Sequence, residues 1–434
     1  MKVLIMSHNP ITDYNSMGKT LLGLFSTFPE EDLCQFYIYP TLPNIKVCRS
    51  YYRITDREAL KSIFLRGNSG RRISNDEIKP ENTLYENDNS SKIYFGKSSH
   101  RELKIFVRDT IWKLATITNC RLSFWLSEEK PSVIFAAPGA SGFFYNLILR
   151  FAKKLNIPIV TYVCDDFYFS NRSKIGPLKR IYARYIRKKV KKLMEASQQV
   201  ITISEELAHD YTVEFGCQCT VISTGANLGI AHSPICGDGK IISYFGNLQL
   251  GRYLSLAEVA KAVDIYNLKH RSSVALNIYT ADCSPSIVET FKGTASANFC
   301  GFLTADKMYA EMKKTSVLLH VESFDNENRE RVKYSVSTKI ADSLASGICL
   351  LAYGPEGLAS IEYLRRNECA FIANNDAELE SELFECLGNP EARTKVAAKA
   401  LDVATQNHDR FRQSELLKSV LLKSERLQYE NIAD

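Results

Sequence analysis

Residues 317–354 read VLLHVESFDNENRERVKYSVSTKIADSLASGICLLAYG, and the fold is decided in this stretch. It opens and closes on short, largely apolar runs, VLLHV and ICLLAY, which predict buried strands. Between them lies a charged excursion and then IADSLASG, a helix-period segment opened by Ser337-Thr338-Lys339. Strand, helix, strand, with both strands apolar at nearly every position, is the repeating unit of a parallel sheet covered on both faces.

Working outward, the same alternation fills most of the 434 residues. IISYFG from Ile241 and VALNIYT from Val274 add strands to this second half. VLIM from Val3, VIFAAP from Val133, PIVTYVC from Pro158 and QVITIS from Gln199 form a first half. Two such series, each with its own glycine loop after the first strand, predict an α/β chain of two Rossmann-like, doubly wound domains facing a cleft. A boundary is expected within residues 225–240, where Gly225-Ala226-Asn227 and the polar SPICGDGK punctuate the chain. Residues 44–100, with ENDNSS at their centre, do not fit the alternation and are expected to form an insertion on the first domain. The domains are thus expected over 1–228 and 238–405. Beyond Pro390 two helical segments follow, the second from near Asp409.

Composition narrows the function classes. Hydrophobic residues make up 45% and charged residues 24%, the balance of a globular chain. No run reaches the roughly 18 apolar residues of a membrane span, and MKVLIMSHNP lacks the apolar core and cleavage site of a signal peptide. A cytoplasmic protein is therefore expected. The cysteines are scattered singly apart from Cys217 and Cys219, which argues for reduced thiols and against a zinc knuckle. The net charge of +6 is too mild to imply nucleic acid, but ten Lys or Arg fall between Asp166 and Glu195 with no acidic residue among them. Without that segment the balance turns negative, so the basic excess is one local patch. Within residues 174–192 Leu178, Ile181, Tyr182, Tyr185, Ile186 and, just beyond, Leu193 recur at helical spacing. The expected helix packs its stripe inward and turns Arg187, Lys188, Lys191 and Lys192 towards an anionic membrane surface.

Ligands of open parallel sheets sit beyond the carboxyl ends of the strands, so chemistry is sought there. Period-two alternation puts His320 and Glu322 on one face of a strand end. Ser337, Thr338 and Lys339 at a helix start suit a diphosphate, and Asp342 one turn on suits ribose hydroxyls. The bland alternative is a plain Ser337 cap and a solvated Lys339. Gly246 and Asn247 allow close backbone approach, and Arg252 can clamp phosphate. In the first half, Ser16-Met17-Gly18-Lys19-Thr20 resembles the end of a P-loop, but Asp13 stands where its first glycine is required, which excludes ATPase chemistry. Gly18 and Lys19 are instead expected beside the ligand. Asp166 offers a carboxylate to the same cleft, against the alternative of a local cap.

Several segments together resemble the GT-B glycosyltransferases of the family-4-like group. VITISEELAHDYTVEFG at 200–216, VISTGAN at 221–227, YFGNLQLGRYLSL at 244–256 and KIADSLASGICLLAYGPEG at 339–357 carry the likeness, which spans about residues 130–372. Arg410-Phe411 opens what looks like that fold's closing helix (406–434), packed back on the first domain. The resemblance implies transfer of a sugar from a nucleotide-sugar donor to a saccharide or lipid-linked acceptor. It further implies retention of configuration, no cofactor or metal, no nucleic acid, and a place in surface polysaccharide or glycoconjugate synthesis. In the family a donor-site Glu precedes a ribose-binding acid by eight residues. Asp342 stands at the second place, but Tyr334 stands at the first, and Glu322 is the substitute the sequence offers. The family's acceptor-side histidine is also missing, with Asp166 at about its place. The expected catalytic set is thus Asp166, Glu322 and His320. A sugar-nucleotide epimerase of the same fold, or a nucleotide-sugar binder without turnover, are the alternatives.

Overall fold

The computed structural model describes residues 1–65, 69–82, 101–117, 119–170, 176–226, 228 and 231–433. The ENDNSS tract, Lys174 and Asn227 lie outside these, as does the side chain of Leu178. The chain divides into two compact units, Met1–Ser223 with Phe411–Asp434, and Thr224–Arg410.

The first unit is built on β1 (Val3–Ser7), β2 (Leu33–Tyr37), β3 (Ser50–Arg53), β4 (Arg71–Ile73), β5 (Val133–Ala137), β6 (Ile159–Val163), β7 (Gln199–Thr202) and β8 (Cys219–Val221). They run in the order β4-β3-β2-β1-β5-β6-β7-β8. All pairings are parallel except β3 with β4. β1 lies inside the sheet with all five residues buried, four of them an unbroken apolar run and the fifth, Ser7, donating to the Asn9 carbonyl at 2.8 Å. Residues 44–82 depart from the expected insertion. They supply β3, a helix (Asp56–Phe64) and β4, and Tyr51, Tyr52 and Ile54 are fully buried. Their polar composition disguised a strand because Ser50 is satisfied inside the protein, donating to Glu129 Oε1 at 2.6 Å and accepting from Trp125 Nε1 at 2.8 Å.

The closing helix Arg410–Ala433 gives Leu417, Val420 and Leu421 to the first unit's core. Ser414 fixes it there, donating to the Leu24 carbonyl at 2.8 Å and accepting from Thr27 N at 3.1 Å.

The second unit holds β9 (Ile241–Phe245), β10 (Ala275–Tyr279), β11 (Ala297–Phe299), β12 (Val317–Val321), β13 (Cys349–Tyr353) and β14 (Phe371–Ala373), ordered β11-β10-β9-β12-β13-β14 and all parallel. The chain winds outward in opposite directions from β9 and β12, so the topological switch point lies between them. These two strands pair only at Val317↔Ile242 and Leu318↔Ser243, whereas β12 stays with β13 through Val321↔Tyr353. The sheet therefore parts at the carboxyl ends of β9 and β12 and leaves a crevice.

Among the described residues no helix is long and apolar enough to cross a membrane.

Candidate functional site

The crevice of the second unit collects residues from three strand ends. After β9 the chain runs Gly246 to Gly251, with Leu250 (φ 58°) and Gly251 (φ 75°) both left-handed, and then enters the helix Arg252–His270. Gly251 is required: a Cβ there would stand 2.5 Å from Ser323 Oγ. The turn is pinned by Tyr244 OH donating to the Asn247 carbonyl at 2.7 Å and by Leu248 N donating to Asp282 Oδ2 at 2.8 Å. Asp282 follows β10 and had no signal beyond that position.

Arg252, at the first turn of its helix, meets Glu322 at the end of β12. Nε and Nη2 donate to the two carboxylate oxygens at 3.0 and 3.1 Å, and Nη1 reaches Asn247 Oδ1 at 3.2 Å. Both side chains are largely covered, at 16% and 5% exposure. This is a buried, forked ion pair, so much of Arg252's donor capacity is spent on Glu322 rather than held open for a phosphate. Ser255 Oγ donates to the Glu322 carbonyl at 2.8 Å and fixes the strand end.

His320 lies beside this pair, as period two predicts, with Nε2 at 3.6 Å from Glu322 Oε1. That distance is too long for a hydrogen bond, and Nε2 is buried without a partner in the protein. Burial lowers the imidazole's pKa, with Arg252 and Lys339 acting the same way against the pull of Glu322, so His320 is neutral.

Lys339 completes the cluster. It sits at the start of the helix Thr338–Ala345, whose cap is Ser337, accepting from Lys339 N at 3.4 Å. Although the residue as a whole keeps exposed surface, its ammonium comes over the backbone of Gly246: a Cβ there would stand 2.7 Å from Nζ. Desolvation at this spot, together with Arg252's charge, brings its pKa down to about 8, with Glu322 and Asp282 opposing. Lys339 is thus a cation whose charge the site does not fully compensate. Asp342 lies one turn along and is half-buried, and Thr338 is exposed at the helix start.

In the first unit the expected residues take local roles. The Gly18 N–H donates to the Asn15 side chain at 2.7 Å as part of a helix cap. A Cβ on Gly18 would fall 2.2 Å from Thr12 Oγ1, so its smallness serves packing rather than a ligand. Lys19 is exposed on the same helix, Ser16–Leu24. Asp166 accepts from Tyr168 N at 2.9 Å, Phe169 N at 3.1 Å, Ser170 N at 2.6 Å and Tyr211 OH at 3.1 Å. Its carboxylate organises the turn after β6, the capping alternative. The switch point of this sheet, between β1 and β5, instead presents His8, a residue the sequence reading passed over. Its Nε2 is buried and unpartnered, and its ring is packed edge-on to Phe144 at 4.7 Å. Desolvation and Arg108 push its pKa down to about 3, against a hydrogen bond to the Pro138 backbone.

The basic helix spans Pro177–Ala196. Ala183, Ile186, Val190, Leu193 and Met194 are buried, while Lys188, Lys191 and Lys192 are exposed and Ile181 stays 55% exposed. Arg187 departs from the expected outward set, because its guanidinium lies 4.6 Å over the Tyr168 ring and its Nε is buried. Among the described residues no cluster of His, Cys, Asp and Glu has the makings of a metal site.

A family model described as Glycosyltransferase Family 4 matches residues 96–229, and one described as glycosyl transferase-like matches residues 284–415. Together they span more than half of the chain. No curated protein sequence matches it. Solved structures share the fold across nearly the whole length. HepE of Anabaena, in complex with UDP, superposes with TM-score 0.63 at 11% identity, covering 98% of this chain and all of that one. The UDP-forming α,α-trehalose-phosphate synthase of Burkholderia vietnamiensis gives 0.62 at 10%, with 98% and 100% covered. Sucrose-phosphate synthase of Thermosynechococcus elongatus gives 0.60 at 9%, with 97% and 98% covered.

Proposed function

The chain is a GT-B glycosyltransferase with a family-4 domain in its first half, and from that premise we propose that it moves a hexosyl group from a UDP-sugar to a saccharide or lipid-linked acceptor. The observation that carries the proposal is the incompletely compensated Lys339 ammonium above Gly246, at the parted ends of β9 and β12. The donor's diphosphate lies against Lys339 and the start of the helix Thr338–Ala345, and Asp342 receives the ribose hydroxyls. As the glycosidic bond breaks, negative charge grows on the departing diphosphate, and Lys339 meets it without needing a metal ion. His320, neutral and with Nε2 free, is the group available to donate or accept at the sugar. Glu322 acts through Arg252, holding the Gly246–Gly251 turn in place. The choice of UDP follows from the fold relatives, one of them a UDP complex and another named as UDP-forming. Retention of configuration and a role in polysaccharide synthesis at the cytoplasmic face of a membrane accompany this reading.

One observation favours a second reading. The site's buried carboxylate is already matched to Arg252 and Tyr334 occupies the other acid's place, as expected of a nucleotide-sugar binder that does not turn over. Incubating the protein with a panel of nucleotide sugars, with and without saccharide and lipid-linked acceptors, separates the two. Acceptor-dependent release of UDP supports transfer. Tight binding with no release supports the binder, and the absence of both binding and release removes the donor-site assignment altogether.

A further inference from the structure

Cys217 and Cys219 stand apart from the glycosyltransferase site. Cys217 follows the helix Glu205–Phe215, whose cap Gly216 (φ 64°) turns the chain sharply, and Cys219 opens β8, the edge strand of the first sheet. Alternate residues of an extended chain project to the same side, with Cα atoms about 6.6 Å apart, inside the span that a disulfide bridges. Here the two sulfurs have converged to 3.7 Å, and both residues are half-buried, with solvent at hand. The Cys217 thiol also lies 3.7 Å from the Tyr211 carbonyl. A second cysteine pair, Cys349 and Cys386, stands with its sulfurs 3.8 Å apart but is fully buried in the second unit's core.

We propose that Cys217 and Cys219 form a dithiol site that exchanges with small disulfides of the glutathione type and closes into an intramolecular disulfide. The Cys219 thiolate attacks one sulfur of the disulfide, forming a mixed disulfide and expelling one thiolate, which takes up a proton. Cys217 then loses its proton and attacks the Cys219 sulfur, expelling the second thiolate. Two protein thiols are oxidised, one disulfide is reduced to two thiols, and no other reactant is needed. The order of attack follows from the pair's asymmetry. The Cys217 thiol lies against the Tyr211 carbonyl, which holds its proton, and the contact with Cys217 draws the Cys219 pKa down against the effect of burial. A thiol titrating near ambient pH combines a substantial thiolate fraction with retained nucleophilicity.

The experiment is to treat the full chain with oxidised glutathione and read the peptide carrying residues 217–219 by mass spectrometry. Loss of two hydrogens, with no glutathione retained, is expected of the wild type, and reversal by dithiothreitol should follow. Cys217→Ala should stop at glutathione carried on Cys219. Its Cys219 alkylation should also show a pH midpoint moved up from that of the wild type. Cys217→Ser serves if the alanine variant unfolds by circular dichroism. Glutathione retained on the wild-type peptide overturns the proposal. So does modification of the exposed Cys120 and Cys236 with residues 217–219 untouched.

Discussion

Arg252 and Lys339 are cations at two helix starts beside the same crevice, yet their electrostatic situations are opposite. Arg252 is covered and matched by Glu322, so its charge belongs to the fold. Replacing Arg252 by Ala leaves a buried carboxylate without a partner and should destabilise the second unit by about 3–5 kcal/mol, read as a lower chemical-denaturation midpoint. Lys339→Ala should leave stability nearly unchanged but weaken UDP binding by about 1–3 kcal/mol in calorimetry. Lys339 also makes a pH signature. With a pKa near 8 in the free protein, its charge is present below that value and lost as pH rises through it. UDP affinity should therefore fall above about pH 8 in the wild type, and that slope should be missing in the alanine variant. His320 and Glu322 were legible because alternation along one strand dictates a shared face. The Arg252–Glu322 pairing was not, since its partners are 70 residues apart and only the switch-point topology brings them together.

At the scale of elements, the strands that announced themselves were those with a run of apolar side chains, such as β1 and β13. β2 and β3 escaped notice because Gln35 and Ser50 interrupt them, and each finds its partners from distant parts of the chain. Gln35 Nε2 donates to Ser7 Oγ at 2.8 Å, and its Oε1 accepts from Ile11 N at 3.2 Å. The basic helix exposes Lys188, Lys191 and Lys192 as expected, but of the expected stripe Ile186 and Leu193 are buried while Ile181 is exposed, and the stacking of Arg187 on Tyr168 depends on a ring no helical period can reveal. The membrane expectation is thus carried by three lysines. Converting Lys188, Lys191 and Lys192 to Gln should cut sedimentation with anionic vesicles at low salt, by up to about 1 kcal/mol per charge. Wild-type binding that ignores added salt would exclude this electrostatic mode. In the closing helix, Leu417 is fully buried, and Leu417→Ala should cost the first unit about 2–5 kcal/mol, with no effect on UDP affinity of the second.

For the whole molecule, two units with separate cores imply two thermal transitions. If the donor site lies within Thr224–Arg410 alone, UDP at a hundred times its Kd adds about 2.7 kcal/mol to that unit and leaves the other transition where it was. Differential scanning calorimetry with and without UDP reads this directly. A shift of the first unit's transition by the same amount would relocate the site.

The first unit's core takes Leu417 and Leu421 from a segment that follows all of the second unit in the chain. On the ribosome, Thr224–Arg410 is complete before those leucines have been translated. The second unit therefore has all of its own residues before the first, whose core stays open on one side until the closing helix is supplied. A released chain ending at residue 410 should show a protease-resistant second unit beside a sensitive first one, and supplying residues 411–434 should close the domain that was begun first.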